Sequence, residues 1–295
     1  MQVASATALL AGVVDYAGLF PPAALAMPAA AAEFHAALTG PDAWMLGRFV
    51  VPATRLSELA EALVTLPADR PEWRVSAIVR DGVDADGAAV ADFNNAFSHH
   101  RARVDAVESK PAAIEAIDGL AAQFGVGIDV YVEIAPGADA ERWLQRVAAR
   151  GLRAKVRTGG VTAEAFPSPA VLAGFLAATV RHKVVFKATA GLHHAVRGSF
   201  RLTYEPDAAT APMYGYLNML LATAALHAGR SVAAAEALLQ QTDAAALVFA
   251  ADTVRWGADV FPLSMLRDTR ARHLASFGSC SFQEPVEELD ALISR

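Results

Sequence analysis

Among 295 residues the chain has one cysteine, Cys280. That excludes a disulfide framework and zinc sites built from several cysteines, and it fits a reducing compartment, so a cytoplasmic location is expected. Basic clusters are missing as well: 25 Lys and Arg stand against 31 Asp and Glu, a net charge of −6. Nucleic acid and anionic membrane are therefore not expected as partners. No apolar run reaches the ~18 residues that span a bilayer without a charge interrupting it. The segment from Met1 to Val14 is apolar but lacks a basic start and runs directly into Asp15-Tyr16, so no secretory signal is expected. Neither a Gly-rich phosphate loop nor a Gly-x-Gly-x-x-Gly after a strand occurs, which leaves nucleotide-dependent chemistry without support.

Apolar residues are abundant, at 54%, enough to bury a large core in one or two domains. Strand-like runs lie at Val13–Tyr16, Leu46–Val51, Arg74–Arg80, Arg103–Glu108, Ile128–Ile134, Arg153–Arg157, Val184–Thr189 and Phe277–Ser281. Helix-period stretches separate the first seven: Pro28–Leu38, Leu56–Leu66, Gly87–Phe97, Ala112–Phe124, Asp139–Arg150 and Ser168–Arg181. Those strands begin every ~25 to 33 residues, the length of a βα unit. Eight strands with intervening helices predict an α/β fold, a (β/α)8 TIM barrel, with a doubly wound open sheet as the alternative.

A single TIM-barrel domain over residues 1–295 is expected, with a helical insertion at about 192–276 between the seventh and eighth strands. That stretch offers no strand candidate and reads as helices at Met213–Ala228, Ser231–Gln241 (Ser231 as N-cap), Asp243–Trp256 and Pro262–Ala275. A barrel needs one helix there. The surplus is expected to cap the mouth or to form a contact in a homo-oligomer; thickening the outer ring is the plain alternative.

Two segments carry the chemistry: Leu152-Arg-Ala-Lys-Val-Arg-Thr-Gly-Gly160 and Val184-Val-Phe-Lys-Ala-Thr-Ala-Gly191. Each places a lysine inside a strand-like run and a glycine four residues later, so each lysine falls near the strand's carboxyl end, where barrel enzymes keep their sites. Strand alternation sends Arg153, Lys155 and Arg157 inward on the sixth strand, Lys187 on the seventh, Tyr131 and Glu133 on the fifth, and Glu108 with Lys110 on the fourth. Arg48 and Arg80 are expected at the ends of the second and third strands, and Asp15 near the end of the first. Inward charges in this number must compensate one another. They form either a functional mouth or an ion-pair network that closes the barrel.

The succession of Val132-Glu133, of Lys155-x-x-Thr158-Gly159 and of Lys187 before a small-residue glycine turn resembles the deoxyribose-phosphate aldolase group of class I aldolases over roughly residues 128–191. In that group the sixth-strand lysine of a Lys-Thr-Ser-Thr-Gly motif forms the Schiff base, and a seventh-strand lysine lowers its pKa. The resemblance implies Lys155 as the Schiff-base lysine, Lys187 as the second, and Thr158 and Gly159 as the motif's end. Val156 and Arg157 replace the motif's Thr-Ser, and the glycine after Lys187 comes one residue late. Glu108 stands where the group's fourth strand has aspartate.

The residues themselves support related chemistries. An amine is a nucleophile only when deprotonated, so a Schiff-base lysine needs its pKa brought from about 10.4 towards neutrality. Lys155, with Arg157 and Lys187 as neighbouring cations, is the first candidate and Lys187 the second; Glu108 and Glu133 are candidate proton carriers. Alternatively, Lys155 and Arg157 simply hold a substrate anion. Glu108 and Glu133 could also bind Mg2+ or Mn2+ in a metal-dependent lyase or enolising enzyme. A phosphoribosyl-type transferase or a non-catalytic barrel binding an anionic metabolite is the third class. Substrate contacts are expected from Arg157, Thr158, Gly159, Lys110, His193, His194, Asp15, Arg48, Arg80 and Ser279. The His193-His194 pair suits acid/base work or metal ligation, and Ser279 an anion contact. Cys280 is the less expected nucleophile.

Overall fold

The computed structural model describes residues 3–67, 69–80, 82, 84–97, 101–124 and 127–293; Met1 and Gln2 of the apolar start lie outside them. Eight parallel strands close into a barrel. They are β1 (Val14–Tyr16), β2 (Leu46–Pro52), β3 (Trp73–Val79), β4 (Ala102–Ser109), β5 (Asp129–Glu133), β6 (Arg153–Arg157), β7 (Phe186–Thr189) and, after five strands that lie outside the barrel, β13 (Leu274–Ser279). The order around the barrel is β1-β13-β7-β6-β5-β4-β3-β2. The fold is therefore a (β/α)8 TIM barrel, with every strand predicted from the sequence in place.

A short helix not expected from the sequence, α1 (Ala4–Leu10), precedes the barrel. The outer helices then follow the predicted spans: α2 (Met27–Thr39), α3 (Leu56–Val64), α4 (Asp84–Phe97), α5 (Ile117–Gln123), α6 (Ala140–Ala149) and α7 (Pro169–Arg181). Local chemistry sets their ends. At α7 the Ser168 hydroxyl accepts from the Val171 amide and Pro169 occupies the first turn, where its missing N–H costs nothing. The stretch Ala163–Arg181 is long and apolar enough to cross a membrane by composition alone, with a mean hydropathy of 1.3. Here it is a short 3-10 turn followed by α7, whose Leu172, Ala173, Phe175 and Leu176 are buried in the core.

The insertion departs from expectation. It is mixed rather than helical: β8 (Gly198–Arg201) pairs with β9 (Thr210–Met213), then α8 (Tyr216–His227) and α9 (Val232–Gln240) follow. Next come β10 (Leu247–Phe249), β11 (Thr253–Trp256) and β12 (Asp259–Pro262) in an antiparallel sheet, and then α10 (Leu263–Arg272). The α8 and α9 spans were legible, and Ser231 caps α9 by accepting from the Ala234 amide. The predicted helix over Asp243–Trp256 is wrong. Asp243 accepts from the amides of Ala245 and Ala246 and holds a single 3-10 turn. Beyond it, Leu247 faces in and Val248 out, and Val254 and Trp256 are buried around exposed Arg255. That two-residue alternation of β-branched and aromatic side chains outweighs the helix propensity of the alanines. Gly257, at φ +59°, then makes the tight turn into β12.

Helix α8 is buried at every position from Tyr216 to Leu226, so it is a core helix wrapped by its neighbours, and Tyr216 stacks on Phe277 of β13. The closing helix, α11 (Gln283–Ile293), follows the last barrel strand.

Gly47 in β2 lets the barrel close over Asp15. A Cβ there would lie 2.4 Å from Asp15 Oδ1 and 3.1 Å from two backbone carbonyls. Gly47→Ala should therefore displace Asp15 and destabilise the chain by about 1–3 kcal/mol, as overpacking does. Chemical denaturation measures it; a neutral substitution would show that β2 yields freely.

Candidate active site

The carboxyl-end mouth opens into a cavity of about 900 Å3. Its floor is a chain of alternating charges. Lys187 Nζ donates to Asp15 Oδ2 at 2.5 Å and to Glu108 Oε1 at 2.6 Å. Glu108 Oε2 lies 2.8 Å from Lys155 Nζ, and Lys155 Nζ lies 3.1 Å from Glu133 Oε2. Lys110, on the rim, closes the series 3.3 Å from Glu133 Oε1. Strand register produces this row: Glu133 lies opposite Lys155, and Lys155 opposite Lys187, on three adjacent strands. Hydroxyls complete the coordination, with Ser76 donating to Glu108 and Ser276 to Asp15 at 2.7 Å each. The Arg48 amide donates to the other Asp15 oxygen.

Burial alone would neutralise these groups; mutual pairing keeps them ionised. For Glu108, burial raises the pKa, but the ammonium groups of Lys155 and Lys187 lower it further, leaving it well below the usual carboxylate range. Burial lowers the Lys187 pKa, and the carboxylates of Asp15 and Glu108 more than reverse that, so Lys187 is held as an ammonium. Glu133 is also lowered: burial raises it, and Lys155, Arg157 and Lys110 outweigh the burial.

Glu108, Glu133, Lys155, Lys187, Lys110, Arg157, His193 and His194 all line the cavity, as the sequence predicted. Asp15 is buried beneath Lys187 and supports the floor without lining the cavity. Five expected contacts lie elsewhere. Arg48 is near the start of β2, below the mouth, where it pairs with Asp105 and Asp129 in a second ionic layer that includes Arg74 and Arg153. Arg80 turns outward to Asp86 in the first turn of α4. Thr158 is fully buried and donates to the Ala190 carbonyl at 2.7 Å, tying the loop after β6 to the loop after β7. Gly159 packs against Phe166, which a Cβ would reach at 2.3 Å, and a Cβ on Gly191 would lie 3.2 Å from the Gly159 Cα. The two glycines thus serve loop-on-loop packing. Ser279 is buried beside His193 while its neighbours Gly278 and Cys280 reach the cavity.

The two histidines divide the work. His194 is fixed by Glu288 at 2.6 Å and stacks on Phe200. His193 Nδ1 lies 3.1 Å from Ser279 Oγ and 3.8 Å from Cys280 Sγ. Burial, with His194 adding to it, pushes the His193 pKa down to about 4. His273, hydrogen-bonded to His227 at the other end of β13, is likewise pushed to about 4 by burial and His227. Both are neutral at pH 7 and ordinary histidines in the unfolded chain, whose pKa is about 6.5. Between pH 6.5 and 4 the unfolded state binds more protons, so stability falls as pH is lowered through that range. Urea midpoints across that range check it, and His273→Gln should flatten the slope.

Cys280 is raised by burial and so is no thiolate nucleophile. A divalent ion does not fit between Glu108 and Glu133, because the Lys155 ammonium stands there. Among the described residues no group of three or more His, Cys, Asp or Glu could hold a metal ion.

The expected cap exists but is not helical. Phe200, Arg201, Leu202, Thr203, Tyr204 and Met213 of the β8–β9 ribbon wall the cavity, while α8, α9 and α10 contribute no described lining residue. The loop after β1 adds Ala17, Phe20, Pro21 and Pro22. These apolar contributors escaped sequence reasoning because an apolar side chain in a loop carries no periodic signal. No protein-family model matches the chain, and no curated protein sequence matches it.

Proposed function

We propose that the chain is a lyase of the class I aldolase type in which Lys155 forms an imine with a small anionic oxo compound. The contact of Lys155 Nζ with two carboxylates at the floor of the cavity carries this reading. An amine needs a proton acceptor before it can attack a carbonyl, and Glu133 is within 3.1 Å and reaches the cavity. Glu133 can then return that proton to the departing oxygen or to the enamine carbon. Lys187 and Asp15 hold Glu108 in place beneath the nucleophile. Arg157, on the same strand face as Lys155, receives the substrate anion. The lone buried Cys280 suits a reducing cytoplasm.

Incubation with pyruvate and borohydride tests the reading. Reduction of the imine should irreversibly add the mass of one pyruvate less one oxygen to the intact chain, in EDTA as well as without it. A metal-dependent enzyme would lose activity in EDTA and show no adduct, and a barrel that only binds the anion would show none in either condition.

We also infer self-association through the insertion's outer sheet, where Val248 and Val260 are exposed on either side of Arg255. Light scattering should find an oligomer at micromolar concentration; a monomer removes this surface from the account.

A further inference from the structure

The cavity is far larger than a three-carbon oxo acid requires, and its walls are divided. On one side β6 supplies Lys155 and Arg157, two residues apart on one strand face, hence roughly 6.6 Å along the strand. That is the span from a ketone carbon to its own carboxylate plus an ion-pair contact. Among the described residues no carboxylate pairs with Arg157, whereas Lys110 is already engaged by Glu133. Opposite β6 in the barrel order stands β2, flanked by β1 and β3. From that side come Ala17, Phe20, Pro21, Pro22, Val50 and Ile78, with no charge and no side-chain hydrogen-bonding group among them. A sugar phosphate lying there would lose the hydration of its hydroxyls without replacement, which is costly. An apolar ring would lose nothing.

Resting on the Schiff-base reading of Lys155, we infer that the substrate is a hydroxy-oxo acid of split character. Its short keto-acid half is held at Lys155 and Arg157, and its other half is an apolar, ring-sized group that lies against Phe20, Val50 and Ile78 and leaves as an aldehyde. The Lys155 amine adds to the ketone carbon and water departs. Glu133 takes the proton of the carbinol hydroxyl. The bond between the carbinol carbon and the carbon next to the imine breaks, its electron pair passing into an enamine that ends on the Lys155 nitrogen. The apolar aldehyde is released, Glu133 returns the proton to the enamine carbon, and water hydrolyses the imine to free the keto acid. Water is the only co-reactant, and no oxidant or reductant is involved.

The reverse reaction gives the test. The full chain is supplied with pyruvate and one of benzaldehyde, acetaldehyde or glyceraldehyde 3-phosphate. The kcat/KM for benzaldehyde should exceed that for either competitor by at least about tenfold. Ile78→Ser and Phe20→Ser, placed in a strand and in a loop, should each reduce that preference by about tenfold. Arg157→Gln should reduce borohydride trapping of pyruvate relative to acetone by about tenfold, the scale of one charge-assisted contact. Trapping of pyruvate with acetaldehyde or the sugar phosphate as the better acceptor would overturn the substrate class and leave the imine intact. Failure to trap any oxo acid would overturn both.

Discussion

Lys155→Ala should lower kcat/KM on the order of 10^4-fold or more, since it removes the covalent nucleophile itself. The fold should survive. Glu108 keeps Lys187 as a partner and Glu133 keeps Lys110 and an opening to the cavity, so neither carboxylate is left stranded. Circular dichroism and the denaturation midpoint should therefore stay close to those of the parent while turnover disappears. A matched loss of structure and activity would mean that Lys155 is only a strut of the ion-pair network.

Glu108→Ala should do the opposite and strike stability first. Glu108 is buried between two ammonium groups, and Lys187 would be left with Asp15 alone at the bottom of the barrel. Lys155 keeps Glu133, so each ammonium retains one carboxylate. The loss is the carboxylate both share plus the space its side chain filled, together about 2–4 kcal/mol. Urea unfolding measures the loss. Since pairing holds the Glu108 pKa down in the folded chain, its contribution is present above the ordinary carboxylate pKa of about 4.3 and disappears as pH falls below it. A Glu108→Ala chain of parental stability would show that the Lys187–Asp15 and Lys155–Glu133 pairs hold the floor without the carboxylate they share.

Much of this site was legible in the sequence because strand alternation fixes which face a side chain takes. Lys155, Lys187 and Glu133 each stand in a strand whose other face is plainly apolar, so their inward direction had one solution. The strand of Glu108, by contrast, carries Arg103 and Asp105 on the other parity and shifts register at Asp105, which also turns inward to Arg48. Alternation says nothing about depth. Arg48 shares the inward parity of Val50, yet it lies one layer lower and belongs to the pairs with Asp105 and Asp129. Nor does parity bind a residue beyond the end of its strand: Arg80 follows Ile78 in phase but is drawn outward by Asp86, six residues away at a helix start.

The glycines after the two lysines marked the strand ends correctly, but their purpose, one loop packed on the other around Phe166, depends on contacts between segments distant in sequence. The ribbon that walls the mouth was hidden for a related reason. Gly198–Arg201 and Thr210–Met213 are four residues each, too short for a pattern, and they become strands by pairing with each other.

Peptide mapping of the borohydride-reduced chain tests the central claim most directly. After reduction in the presence of pyruvate, digestion and mass spectrometry should place a single adduct on Lys155, with Lys187 unmodified because its ammonium is locked between Asp15 and Glu108. An adduct on Lys187 alone, or one that persists in the Lys155→Ala, Lys187→Ala double variant, would contradict the account.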